Sequence, residues 1–218
     1  MKPTISLDDF ITKVQAYQKS DYALNPQYEE AVKRRDIWER LAEIRDCETK
    51  EVVLKFLNQW KCRISSLCVP DLTKALRESA ESLHQFDKCR LEETDLDSSN
   101  AEVMERVFGT ITSVKAGKRR TVGSTATSKI LHLVNPNFFV MYDVRIRRGY
   151  GCFGNDLGYT NFMKQMKQLA NDLLHEYSIK RNIPVDSTFQ SLAQECRSYS
   201  RTMPKLLDEY NWIKFNQP

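Results

Sequence analysis

Residues 117–148 read GKRRTVGSTATSKILHLVNPNFFVMYDVRIRR, and this stretch decides how the rest of the chain is interpreted. Between Lys115 and Arg148 there are eight lysines and arginines but one acid, Asp143, a local charge of +7. The whole chain carries only +4, so the remaining residues sum to −3. Positive charge concentrated in one stretch indicates a surface that binds a polyanion.

The glycines are concentrated in the same part of the chain. All seven lie between Gly109 and Gly158. Glycine permits positive φ angles and close approach of two backbones, so unusual backbone geometry is expected there. We therefore predict that residues 109–158 contain the functional site and that the remaining chain supports it structurally.

Length and composition limit the class of protein. The 218 residues suit one unit, 1–218, built as a large domain or as two small helical lobes, and the 41% apolar content predicts a globular chain. No apolar run is long enough to span a bilayer, and the N-terminus lacks a signal-peptide core, so we expect a cytoplasmic protein with no membrane partner. The six scattered cysteines and three histidines show no metal-ligand spacing, which predicts free thiols, no metal and no cofactor.

The hydrophobic pattern predicts an all-α fold. Ser6 is a candidate N-cap, Asn25-Pro26 a helix start with the helix running to about Asp46, and Ser99-x-x-Glu102 a capping box. Further helices are predicted at about 50–60, from Pro70-Asp71 to about 86, over 162–177 and from Pro204. The polar, acidic stretch 88–100 is a candidate boundary between two lobes. Short strands within 110–114 or 138–142 are an alternative for those clusters of β-branched and aromatic residues.

The turn before residue 123 has the features of a phosphate-binding site. Free N–H groups at a helix N-terminus bind phosphate, glycine lets a phosphate backbone come close, and hydroxyl and basic side chains add donors. The competing interpretation is an ordinary N-cap beside a solvated basic loop. The candidate contacts are Lys118, Arg119, Arg120, Gly123, Ser124, Thr125 and Lys129, together with Arg145 and Arg148 farther along the chain.

Asp143 follows an apolar segment and is followed by three arginines. It could simply pair with a neighbouring arginine. The functional interpretation is a carboxylate at the edge of a base-binding pocket, where it stabilises a developing sugar cation or orients a water.

The two features lie at a spacing that resembles the helix-hairpin-helix DNA glycosylases. VGSTA (122–126) looks like the end of that family's hairpin and the start of its second helix, and YDVRIRR (142–148) looks like the segment that carries its catalytic aspartate. The close resemblance covers about 30 residues. The family's Leu-x-x-Leu-Pro-Gly-x-Gly hairpin is absent, and residues 118–123 stand in its place. Ser124 occupies the position at which bifunctional members carry a nucleophilic lysine.

This resemblance implies a two-lobed helical domain with a helix-hairpin-helix-like DNA-binding element. It further implies a monofunctional glycosylase that flips a damaged or modified base out of double-stranded DNA, with Asp143 as the catalytic residue and water completing the reaction. Repair and defence against modified phage DNA are both compatible roles. Monomeric action is expected. Candidates for the base pocket are Tyr142, Tyr150, Phe153 and Trp60.

Two other classes remain open. The chain could be a non-catalytic nucleic-acid-binding helical protein, in which Asp143 serves only structure. It could also be a helical interaction protein or an unrelated enzyme whose basic stretch is a solvated face.

Overall fold

The computed structural model describes residues 5–20, 26–198 and 200–216, and every regular element in them is helical. The helices are α1 Leu7–Gln18, α2 Pro26–Lys33, α3 Arg35–Trp38, α4 Asp46–Glu48, α5 Lys55–Gln59, α6 Val69–His84, α7 Ser98–Ser113, α8 Gly123–Val134, α9 Val144–Gly149, α10 Asp156–Arg181, α11 Val185–Glu195 and α12 Met203–Asn216. A π-helical turn, Thr49–Leu54, joins α4 to α5, and short 3-10 turns lie at Leu41–Glu43 and Ser66–Cys68.

The predicted all-α class is therefore confirmed, and the alternative of short strands is wrong. Residues 110–113 belong to the last turn of α7. Residues 138–142 are buried and start in a turn at Phe138, and they join no ladder with any described segment. The β-branched and aromatic side chains of this segment are accommodated by burial among helices, which is a packing preference rather than a strand signal.

Helix α8 is the central helix, because every residue from Ala126 to Val134 is buried. It packs against α7 and α2. A helix buried on all sides must satisfy its polar side chains internally. Thr127 donates to the Gly123 carbonyl at 3.0 Å, and Ser128 donates to the Thr125 carbonyl at 3.0 Å.

His132 connects α8 to two other parts of the core. Its Nδ1 lies 2.6 Å from the Phe139 carbonyl oxygen and its Nε2 lies 2.8 Å from the Tyr28 hydroxyl. The carbonyl can only accept, so Nδ1 carries the proton and Nε2 accepts from Tyr28, which is the neutral imidazole. Burial lowers the pKa of His132 to about 4.

We expect the free energy of unfolding to decrease in acid, because protonation of His132 favours the unfolded chain. Its pKa of about 4 in the folded chain lies below the ordinary value of about 6.5, so the unfolded chain binds the proton first. The folded state therefore loses about 3 kcal/mol as the pH falls from about 6.5 to 4. Urea unfolding at several pH values checks this, and His132→Gln should flatten the change in this window. An unchanged slope in His132→Gln would show that other groups control it.

The C-terminal helix carries a buried polar network and also packs along the N-terminal helix. Helix α12 packs along α1. The Lys205 ammonium lies 2.7 Å from Asp208 and 3.8 Å from Glu209, and Arg201 pairs with Glu29 and with Glu209. These carboxylates raise the pKa of Lys205 although burial opposes them, so the lysine stays charged. Paired charges of this kind specify one packing arrangement more than they add stability.

Two predicted helix boundaries are wrong. The helix that begins at Pro26 ends at Lys33, and α3 and a 3-10 turn follow it, with non-helical backbone at Arg34, Arg40 and Ile44. No proline or glycine accounts for these breaks. The predicted cap at Asn25 lies outside the described residues. The N-cap of α7 is Asp97, whose side chain accepts from the Asn100 N–H, so the Ser99 capping box does not form.

Other boundaries agree with the sequence. Ser6 caps α1 by accepting from the Asp9 N–H. The helices predicted to start at Pro70 and at Pro204 begin one residue earlier, and the stretch 162–177 lies within α10. Proline in a first turn and 3.6-residue periodicity are local signals, so these helices could be predicted from the sequence.

The acidic stretch before α7 is held against the rest of the chain. Leu91 and Leu96 are buried, and the Leu91 N–H donates to the Asn137 carbonyl at 3.0 Å. The Lys167 ammonium donates to the Thr94 carbonyl at 2.7 Å. The stretch is irregular, as predicted, but it packs as an ordered connection.

Close backbone packing at the start of α10 requires glycine at residue 158. A Cβ added there would lie 2.1 Å from the Phe153 carbonyl oxygen, whereas one added to Gly109 in α7 would meet nothing nearer than 3.7 Å. Gly158→Ala should therefore cost about 1–3 kcal/mol, and Gly109→Ala should be neutral or stabilise by up to about 1 kcal/mol. Thermal unfolding of the two variants checks this. Equal Tm values for the pair would contradict the packing described here.

Candidate functional site

A short, exposed turn joins α7 to α8 and carries three consecutive cations. The Ala116 N–H donates to the Arg120 carbonyl and the Val122 N–H donates to the Val114 carbonyl, each at 2.8 Å, and Lys115 and Thr121 form one antiparallel bridge. Buried Val114 and Val122 anchor the base of the turn. Gly117 has φ 146°, a backbone conformation that is unfavourable for residues other than glycine. Lys118, Arg119 and Arg120 are consequently held at the tip, in solvent.

Helix α8 begins at Gly123 without a side-chain cap. Gly123 has φ 75°, and the preceding residue, Val122, cannot cap the first-turn N–H groups. Ser124 and Thr125 are half-buried in that first turn. An uncapped helix start with two hydroxyl side chains can donate hydrogen bonds to a phosphate oxygen. This helix start lies directly after the basic tip.

Ser128 fixes the Asp143 segment against α8. Its Oγ accepts from the Tyr142 N–H at 3.2 Å and lies 3.1 Å from the Tyr142 carbonyl oxygen. One turn of α8 therefore separates the helix start from the residue that positions Asp143. The structure brings together the two features that the sequence placed 20 residues apart.

Asp143 is the N-cap of α9. Its Oδ1 accepts from the Ile146 N–H at 2.8 Å, and its Oδ2 accepts from Asn216 Nδ2 at 3.1 Å. Within the part of the chain described, it forms no ion pair with an arginine, so the simple pairing considered from the sequence is not what holds it. A half-buried carboxylate with one bond on each oxygen keeps lone pairs free for a further donor or a cation.

Two buried polar atoms on residues close to Asp143 in sequence lack hydrogen-bond partners. The Tyr142 hydroxyl and the Arg147 Nε are both buried and form no hydrogen bond with the described residues. Burial raises the pKa of Tyr142 to about 12, and nearby Ser124 and Arg147 oppose the rise. Ser124 is thus close to the phenol, although the pair lacks hydrogen-bond geometry here. The Tyr142 hydroxyl lies near Ser124 on α8, whereas the Arg147 guanidinium lies near Cys152 and Gly154, after α9. A buried donor without a partner is the kind of group that a bound ligand satisfies.

The other predicted DNA contacts divide into exposed and buried residues. Arg145 and Arg148 are exposed on α9. Lys129 is buried, and its ammonium lies 4.8 Å from the centre of the Trp60 ring and 3.3 Å from the Trp60 carbonyl oxygen. The exposed cations suit a phosphate backbone, whereas Lys129 lies inside the fold.

The four candidates for a base pocket lie in three different environments. Tyr142 and Tyr150 both contact Phe162, with ring centres 5.1 and 5.6 Å apart, and the Tyr150 hydroxyl donates to Asn211. Trp60 packs in a separate cluster with Tyr28 and Phe56. Phe153 is 77% exposed. Tyr142 and Tyr150 are thus close together, while Phe153 and Trp60 lie apart from them.

Two contributors to the site were not singled out from the sequence. Ser128 has no role in the sequence-based interpretation, and nothing in the pattern indicated that its side chain would bridge to Tyr142. Asn216 lies far along the chain from Asp143, so no local signal could have paired the two.

A polar pocket of about 250 Å³ lies elsewhere in the fold. Its lining includes Arg90, Glu92 and Phe189, as well as Arg201 and Thr202 before α12. Asp143 contacts the opposite end of α12, about 20 Å away along a helix of 14 residues. This pocket is therefore not part of the Asp143 site.

Comparison with protein-family models, curated proteins and solved structures finds no match to this chain. Among the described helices, none combines the length and the apolar character needed to cross a membrane.

Proposed function

We propose that this chain is a monofunctional DNA glycosylase that flips a damaged or modified base from double-stranded DNA and hydrolyses its N-glycosidic bond. The observation that supports it is the attachment of the Asp143 segment to α8: Ser128 bonds both backbone groups of Tyr142, and α8 starts without a cap directly after the basic tip 118–120. The proposal includes a helix-hairpin-helix-like role for α7, the turn and α8, and action as a monomer in the cytoplasm.

DNA binding would begin with the phosphate backbone. The N–H groups of Gly123, Ser124 and Thr125 would donate hydrogen bonds to one phosphate, and exposed Lys118, Arg119 and Arg120 would neutralise the neighbouring phosphates. Arg145 and Arg148 extend the same charge onto α9. We assign no phosphate contact to Lys129, because its ammonium is buried against Trp60.

In the chemical step, Asp143 would stabilise positive charge on the sugar. As the N-glycosidic bond breaks, the sugar becomes oxocarbenium-like, and a fixed carboxylate interacts with this cation more strongly than with the neutral substrate. The hydrogen bonds from Ile146 and Asn216 hold the carboxylate before DNA binds, so little reorganisation is needed. Water then adds to the sugar and leaves an abasic site.

Tyr142 would act behind the pocket rather than as its lining, because its ring is buried against Phe108, Tyr159 and Phe162. Its unpaired hydroxyl lies near Ser124, at the place where a phosphate would bind. Tyr150, which is half-buried, and exposed Phe153 remain candidates for contact with the displaced base or the opened duplex.

A panel of DNAs tests this function. Purified protein would be incubated with duplexes carrying alkylated, oxidised or deaminated bases and with DNA from phages that use modified bases. Strand breaks that require alkali would support a monofunctional glycosylase. The DNA in which they occur would identify the excised base, and so would distinguish a repair role from a defence role. Breaks without alkali would indicate lyase chemistry instead.

The second candidate is a nucleic-acid-binding protein without catalysis, and one observation favours it. Asp143 already has a structural role, because it caps α9 and bonds Asn216. Tight, salt-sensitive DNA binding with no abasic sites from any substrate would support this alternative.

A further inference from the structure

Lys129 is a buried amine that points at a cysteine. Lys129 is only 8% exposed, and its Nζ lies 3.7 Å from the Cys62 sulfur. Within the described ranges no carboxylate lies within ion-pair distance of this ammonium. A buried ammonium without a countercharge is uncommon, because burying a charge is costly unless it is paired. The partners that hold it are the Trp60 ring and carbonyl.

Cys62 is held rigidly in the connection between α5 and α6. Its neighbours Lys61 and Arg63 have φ angles of 60° and 55°, a left-handed conformation that is costly for residues other than glycine. The Cys62 N–H donates to the Leu57 carbonyl at 2.9 Å. Asn58 clamps the next residues through hydrogen bonds to the N–H and the carbonyl of Ile64. The sulfur therefore stays in front of Lys129.

The other cysteines have different surroundings. Cys47 is exposed, whereas Cys68 and Cys196 are buried. Cys89 contacts the Gln85 carbonyl, and the Cys152 sulfur accepts from the Gln165 amide. In the described part of the chain, Cys62 is the cysteine whose sulfur contacts a primary amine. It is also half-exposed, so a small oxidant can reach it.

We propose that Cys62 and Lys129 form a covalent modification site, in which hydrogen peroxide joins the two side chains through a sulfur–nitrogen bond. In the first step the thiol reacts with one peroxide to give a sulfenic acid and one water. In the second step the lysine amine, after losing its proton to solvent, attacks the sulfur, and the S–O bond breaks with release of a second water. The sulfur is oxidised, the peroxide is reduced, and the product is a sulfenamide.

The first step should be slow and the second step fast. Burial raises the pKa of the Cys62 thiol, although Lys129 partly opposes the rise, so little thiolate is present at neutral pH. Once the sulfenic acid forms, the amine is already within 4 Å and needs no diffusion. The bond would tie the α5–α6 connection to α8, the helix that positions Asp143.

Peptide mass spectrometry of the intact protein after peroxide treatment at pH 8.5 tests the proposal. We expect a peptide that contains both residues 62 and 129, lighter by about 2 Da than the sum of the two reduced peptides, and returned to them by dithiothreitol. Because the bond closes a loop of about 67 residues, the Tm should rise by about 10 °C. Exposed Cys47 serves as the internal control, since it should oxidise without joining a lysine.

Lys129→Arg is the matched variant, because it keeps the charge over Trp60 but removes the nucleophilic amine. In that variant Cys62 should stop at sulfenic acid, which dimedone captures, or proceed to sulfinic acid. The proposal is overturned if wild-type Cys62 gives the same products as Lys129→Arg, or if Cys62 stays reduced while Cys47 is fully oxidised. Even if Lys129→Arg does not fold, the peptide masses of the oxidised wild-type protein alone show whether Cys62 and Lys129 are joined.

Discussion

Asp143→Asn is expected to lower base release by at least about 100-fold while leaving DNA affinity within about twofold of the wild type. Removing one preorganised electrostatic group commonly costs a factor of about 100–1000 in rate, and the amide cannot offer the negative charge that a sugar cation needs. Asparagine caps helices about as well as aspartate, so α9 should keep its start. Single-turnover base release and equilibrium DNA binding would be measured on the same preparation.

Asp97→Asn is the matched control. Asp97 is also an aspartate N-cap, with its Oδ1 2.9 Å from the Asn100 N–H, but it lies outside the basic region. This change should leave base release and binding unaltered. If Asp143→Asn reduced binding and release equally, or left release intact, Asp143 would be only a cap and the catalytic assignment would fail.

Removing the three cations of the turn should weaken DNA binding in a salt-dependent way. Each phosphate contact contributes about −0.9 to the slope of log K against log salt, so the triple change Lys118→Ala, Arg119→Ala and Arg120→Ala should reduce that slope by about 2.7 if all three contact phosphates. The affinity at low salt should fall by about 100-fold or more. The side chains are exposed, so the Tm should change little. Binding titrations at several salt concentrations give both quantities.

A triple variant with the same loss of charge provides the control. Lys74, Lys88 and Lys164 are exposed residues far from the turn in sequence. Replacing these three by alanine should change the slope by less than one unit, because none of them belongs to the proposed set of phosphate contacts. Equal effects from the two triple variants would show that DNA responds to net charge alone, and the turn would lose its assigned role.

Local patterns in the sequence predicted most of the helices. Periodicity and N-terminal proline act within a few residues, so α6 and the start of α12 were found close to their true positions. The predicted stretch 162–177 is the middle of α10, which begins six residues earlier and ends four residues later. The break after Lys33 was missed, because no proline or glycine marks it. The cap of α7 was misplaced because Asp97 competes with Ser99 two residues away, and both are good caps.

The candidate site was predictable in part for the same reason. The basic turn, the start of α8 and Asp143 lie within one short segment, and their charge and glycines mark them. Contacts between residues distant in sequence could not be predicted. Lys129 looked like a solvent-facing cation but lies against Trp60, because α8 is buried on every side. Asn216 reaches Asp143 only through the packing of α12 near α9.

The most direct test of the central claim is to identify free base released from DNA by wild-type protein and by Asp143→Asn. Modified phage DNA and damaged duplexes would be incubated with each protein, and the small-molecule fraction would be analysed by mass spectrometry. The account predicts that one modified or damaged base appears with the wild type and is reduced at least about 100-fold with the variant. No released base from any DNA, or equal release by the two proteins, would contradict it.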